Sequence, residues 1–206
     1  PADCGPVCIS LCQDIQGEIF EYPEDFFKEK IHNIRRPRPD DFQIKEAAEK
    51  IKKSKNPIII SGGGVFYSDA MEELSTFAVK HNIPVTQTVM GYSSMKRDHS
   101  HFLGPIGGLG GKAANNMAKK TDLAIAVGTK LADFTTGSWA NFENPNFKLV
   151  SINAARFDAN KHMAQAVVGD AKVSLSELSL VLGSWKAEDS WSKKAQSELK
   201  SWNEYV

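Results

Sequence analysis

Apolar and polar positions between residues 40 and 182 follow two alternating periods. From Asp41 to about Ser54, Ile44, Ala47, Ala48 and Ile51 recur at helical spacing, and Asp40 or Asp41 is placed to cap that helix. Pro57 to Ser61 (PIIIS) is a short β-rich run and reads as the first strand. Ala70 to His81 returns to the helical period, with Met71, Leu74, Phe77 and Ala78 facing inward. Ile83 to Thr88, entered through Pro84, predicts a second strand. A helix over Gly111 to Lys120 follows, then strands at DLAIAVG (122–128), FKLVSIN (147–153) and AVVGD (166–170). A last helix spans Ala171 to Leu182, with Asp170 as its N-cap.

Strands apolar on both faces and separated by helices predict a parallel sheet covered on two sides. Right-handed connections make it a doubly wound, Rossmann-like α/β sheet. Ligands on such sheets bind beyond the C-terminal ends of the strands. The glycine-rich turns fall there: Gly62–Gly64, Gly107–Gly111 and Gly128.

The flanks differ from this core. Residues 1 to 39 hold one strand-like run, VCISL, and a polar, proline-punctuated stretch ending in RRPRP, read as a solvated linker rather than a nucleic-acid contact. Residues 184 to 206 carry Trp185, Trp191 and Trp202 among charges and predict a terminal helix leaving the domain.

Composition narrows the function. The 206 residues suffice for one well-filled domain with extensions, and 25 basic against 25 acidic residues leave no electrostatic footprint for nucleic acid or an anionic membrane. The apolar runs are too short to span a bilayer, and PADCGPVCIS does not read as a signal peptide. A start at Pro1 without Met suggests a piece of something longer. Cys4, Cys8 and Cys12 match no common zinc or iron–sulfur spacing, and Gly5-Pro6 opposes a helix that would align them. They are expected to be reduced, partly buried thiols of a cytoplasmic protein.

The opening of a phosphate-cradling loop is present in PIIISGGGVFYSDA, but Tyr67 takes the place of the third glycine of the dinucleotide fingerprint. Gly108, Gly110 and Ala113 fit the letters, yet no strand is predicted to run into them. GLGGKA fails as a P-loop because Ala113 stands where Ser or Thr should bind Mg²⁺. His99 and His101 in DHSHF read as a solvated loop, and Ser61 lies outside any nucleophile elbow. VVGDAK has Ala171 where a diphosphate–Mg²⁺ motif has its second glycine. No catalytic residue and no metal ligand is assigned.

The order of the turns is more specific than any one of them. NPIIISGGG, NIPVTQT, FLGPIGGLGGKAANNMAKKTDLAIAVGTKLADFTTG, FKLVSIN and VVGDAK together resemble the central domain of thiamine-diphosphate-dependent enzymes. Within that family they are most similar to the bacterial branch that hydrolyses a C–C bond of a cyclic trihydroxy dione in myo-inositol breakdown. GPVCISLCQDIQGE is similar to the end of the pyrimidine-binding domain that precedes the central one. The resemblance implies a six-stranded sheet of the NAD/FAD-binding type. It divides the chain into 1–39 (end of the preceding domain and linker), 40–183 (central domain) and 184–206 (a helix leading to a further cofactor domain). It also implies thiamine diphosphate and Mg²⁺ in the full-length enzyme, with the activating glutamate upstream and the metal motif downstream. Partners would be the other domains of the same polypeptide and, at full length, further copies of it.

In flavin- or ADP-binding relatives the glycine turns carry the nucleotide. The matching positions are Gly62, Gly63, Gly64, Gly107, Gly108, Gly110, Gly111, Gly128, Lys130 and Asn153. Relatives usually have arginine at Lys130, and acidic residues in the stretch that here reads Ile152, Asn153, Ala154, Ala155. Losing the carboxylates removes the best ribose ligand, so an empty or vestigial ADP or FAD site is expected. The rival reading is a self-contained nucleotide-binding module or a sirtuin-like deacylase on the same sheet.

Overall fold

The computed structural model describes residues 6–31, 33 and 35–206. Six strands form one sheet: β1 Pro57–Ser61, β2 Val85–Gln87, β3 Phe102–Pro105, β4 Leu123–Val127, β5 Lys148–Asn153 and β6 Gln165–Val168. All pairs are parallel, in the order β3-β2-β1-β4-β5-β6. The α-helices are α1 Gln13–Gln16, α2 Asp41–Lys52, α3 Gly63–Tyr67, α4 Met71–His81, α5 Lys112–Lys120, α6 Asp133–Thr136, α7 Arg156–Ala159, α8 Ala171–Leu182 and α9 Asp189–Tyr205.

Parallel strands cannot be joined by tight hairpins: α4 lies in the crossover before β2 and α5 in that before β4, whereas the β2–β3 connection holds no α-helix. Both central strands are buried along their whole length. Ile59, Ile125, Val127, Val150, Ile152 and Val167 meet α2, α4 and α8 on one face. On the other, Ile58 and Ile60 lie opposite Ala124 and Ala126, whose small side chains leave room for Met117 of α5 and Trp191 of α9. The Asp40 carboxylate caps α2 through Phe42 and Gln43, and Asp170 caps α8 through Lys172 and Val173, as the sequence predicts.

Strand β3 is the sixth strand, which the hydrophobic pattern alone did not locate, and it runs into the Gly107–Gly111 turn. Gly104 and Pro105 mask it. At the sheet edge a proline removes no needed hydrogen bond, and Gly104, at φ +91°, sits where the register with β2 slips by one residue.

The C-terminal helix does not project from the domain. It lies along α5, with the Trp191 indole buried and its Nε1–H donating to the Pro57 carbonyl at 2.8 Å. Residues 7–11 form no strand and are exposed, as a strand without neighbours must be. Cys8 and Cys12 are exposed free thiols rather than partly buried ones, in a segment exposed along residues 6–31; Cys4 lies outside the described residues. The basic linker is not simply solvated: Pro39 is buried, and Arg36 and Arg38 pair with Asp170 and Glu177.

Candidate functional site

The sheet order reverses between β1 and β4, and a cleft of about 490 Å³ opens there beyond the strand ends. Gly63 and Gly64 line it after β1, Thr88 to Met90 after β2, Gly128 to Lys130 after β4 and Asn153 at the end of β5. The β6–α8 turn with Asp170 and the linker residues Arg36 and Pro37 complete the wall. Five expected site residues therefore share one cleft: Gly63, Gly64, Gly128, Lys130 and Asn153. Gly62, Gly107, Gly108, Gly110 and Gly111 are not part of its lining.

A phosphate cradle needs backbone N–H groups free to donate. In the first loop the N–H of Gly62 donates to Val127 (2.8 Å), that of Gly64 to Gly128 (2.9 Å) and that of Val65 to Gly62 (3.1 Å). In the second turn, Gly107 donates to the Asn115 side chain (3.0 Å), Gly108 to Phe134 (2.8 Å), Gly110 to Gly107 (2.9 Å) and Gly111 to Pro105 (2.9 Å). These donors already have acceptors within the fold, whereas the N–H groups of Gly63 and Leu109, both in the cleft wall, have none among the described residues.

The glycines have a packing reason instead. A Cβ on Gly62 would stand 2.4 Å from the Gly128 carbonyl oxygen, and one on Gly64 would stand 2.6 Å from the Gly128 Cα. The loops after β1 and β4 approach so closely that neither can carry a side chain there. None of Gly62–Gly64 has a positive φ; among the glycines of these turns that conformation belongs to Gly107 and Gly128. Tyr67 crowds nothing: α3 ends there, and its ring is exposed at the mouth of the cleft.

Asn153 is also committed. Its amide donates to the Thr129 carbonyl at 3.2 Å, and its carbonyl oxygen accepts from the Ala155 N–H at 3.0 Å. It pins two turns together rather than presenting a ribose ligand. Lys130 is exposed at the rim. Apolar contributions come from Val89, Met90, Ile106, Leu109 and Phe134.

Two histidines with shifted titration lie outside the cleft lining. His81 is fully buried, bonded through Nδ1 to the Trp185 carbonyl (2.7 Å) and through Nε2 to the Ser179 hydroxyl (3.0 Å); burial lowers its pKa. His101, expected in a solvated loop, is half-buried against Asn82 (3.1 Å), and burial lowers its pKa too. Ser61 is buried, its hydroxyl 3.1 Å from the Thr86 carbonyl and 2.6 Å from the Ser94 hydroxyl, a structural role and not a nucleophile's. Sequence reasoning missed the apolar lining and, of the charged cleft residues, Arg36, whose partner Asp170 is 134 positions away, beyond any local pattern.

The description "thiamine pyrophosphate enzyme, central domain" matches residues 44–178. The chain belongs to that family. A 3D-(3,5/4)-trihydroxycyclohexane-1,2-dione hydrolase of Clostridium perfringens is 44% identical over 204 residues, 99% of this chain and 32% of the relative. The hydrolase of the same name from Clostridium tetani is 47% identical over 178 residues, 86% of this chain and 28% of the relative. One from Bacillus cereus, hydrolase 1, is 44% identical over 178 residues, with the same two shares. The chain thus spans about a third of the length of the relatives it matches.

Thiamine diphosphate itself does not fit the residues of this domain. Asp170, in the one sequence that approaches a diphosphate–Mg²⁺ motif, spends Oδ1 on the N-terminus of α8 and Oδ2 on Arg36. Among the described residues, no cluster of His, Cys, Asp or Glu could hold a metal ion. No helix among them is long and apolar enough to cross a membrane.

Proposed function

We propose that this chain is the central, architectural domain of a longer thiamine-diphosphate- and Mg²⁺-dependent cytoplasmic hydrolase, which cleaves a C–C bond of trihydroxycyclohexanedione in inositol breakdown. The observation that carries the reading is the 44% identity over 204 residues to a dione hydrolase of which this chain covers 32%. In the whole enzyme the domain spaces the two cofactor domains and contributes to contacts between subunits, while residues 1–39 close the preceding domain. Catalytic groups are supplied from elsewhere in the polypeptide.

A self-contained nucleotide module finds less support. Most N–H groups of the two glycine turns, those of Gly63 and Leu109 excepted, are bonded to the fold's own acceptors, and Asn153 bridges two turns. The test is a chimera in which this chain replaces the matching third of the Clostridium perfringens hydrolase. Dione hydrolysis that requires added thiamine diphosphate and Mg²⁺ is expected. A folded chimera that binds the cofactor but opens no dione would count against the assignment.

A further inference from the structure

The linker before α2 is bound to the turn after β6 by several unlike contacts. The Arg36 guanidinium donates through Nη1 to Asp170 Oδ2 at 3.0 Å and to the Ser68 carbonyl. The Asp170 N–H donates back to the Pro37 carbonyl at 2.8 Å. Pro39 is buried over Gly169, where a Cβ would stand 2.9 Å from the Pro39 nitrogen. Arg38 pairs with Glu177, at 75% and 21% side-chain exposure, whereas Arg36 and Asp170 are 37% and 8% exposed.

We propose that residues 36–39 are a latched strap, in which the Arg36–Asp170 pair holds the linker as a fixed wall of the cleft and sets the direction from which the preceding chain arrives. The division of labour on Asp170 makes this economical. Its Oδ1 accepts from Lys172 and Val173 at the start of α8, and its Oδ2 takes Arg36. The strap is therefore tied to the residue that caps α8.

Two observables read the strap directly. The amide at position 170 is protected by the Pro37 carbonyl, so its hydrogen exchange reports the latch. Trypsin can cut Arg35–Arg36, while Arg36–Pro37 and Arg38–Pro39 resist because proline follows. Asp170→Asn removes the charge and keeps the cap, since Asn caps helices as well as Asp. In Arg36→Gln and in Asp170→Asn, exchange at position 170 and cleavage after Arg35 should each rise about tenfold or more, with amides of β1 and β4 unchanged. The double variant should rise no further than either single one. Arg38→Gln, which breaks the exposed pair, should leave both readouts within about twofold. Unchanged exchange in Arg36→Gln would overturn the proposal. So would an equal rise in Arg38→Gln, or a rise that β1 and β4 share.

Discussion

Gly64 and Gly128 meet backbone to backbone: the Gly64 N–H donates to the Gly128 carbonyl at 2.9 Å, and a Cβ on Gly64 would lie 2.6 Å from the Gly128 Cα. This contact joins the loops after β1 and β4 at the point where the sheet order reverses. It gives the glycines a role that needs no ligand. Gly64→Ala gains helix propensity within α3 yet must push two backbones apart, so a net loss of about 1–3 kcal/mol is expected. Gly63→Ala should cost less, because its Cβ would meet the Met90 carbonyl oxygen at 3.1 Å. Urea unfolding of the two variants checks this order; equal stabilities would show that the loops yield freely.

Trp191 makes α9 part of the core. Truncating it to Ala removes a buried aromatic from the cluster that holds Ile58 and Ala124, and a loss of about 3–5 kcal/mol is expected. Trp191→Phe keeps most of the packing and deprives the Pro57 carbonyl of its indole donor, at about 1–3 kcal/mol. Thermal melting of the two variants measures the difference. A Trp191→Ala protein as stable as the parent would mean that α9 is peripheral.

His81 and His101 should make stability depend on pH. The Trp185 carbonyl can only accept, so His81 Nδ1 carries the hydrogen and Nε2 is left to accept from Ser179. Burial lowers the His81 pKa below 6.5, with Lys80 adding to the effect and the Trp185 bond opposing it. His101 is lowered by burial and then by His99. Above the unfolded value both states are neutral, and these groups give no slope. As pH falls below it, the unfolded chain takes up protons that the folded chain does not, so stability is lost until the folded values are reached. The urea midpoint should therefore drop between about pH 7 and about pH 5, and His101→Gln should reduce that drop without removing it. A midpoint that rises on acidification would contradict the assignment.

The legible parts of this fold were those fixed by local periodicity. Pro57–Ser61 and Ala171–Leu182 have the predicted bounds because a doubly buried strand and a capped amphipathic helix each write their pattern into consecutive residues. Strand β3 was illegible because it has four residues, two of them Gly104 and Pro105. Terminal helix α9 was legible as a helix but not as core, since only its contact with Pro57 reveals what Trp191 faces. At the cleft, the glycine positions could be read and their purpose could not. Whether an N–H is free depends on a carbonyl from another loop, as Gly108 and Phe134 show. Arg36 left no local trace at all.

The central claim is that this chain is an architectural domain whose switch-point cleft serves the fold and not a cofactor. Isothermal titration of the 206-residue chain with thiamine diphosphate and Mg²⁺, and separately with ADP and FAD, tests it most directly. No saturable binding is predicted for any of the three. Micromolar binding of one of them, about −8 kcal/mol, would contradict the account and make the cleft a working cofactor site.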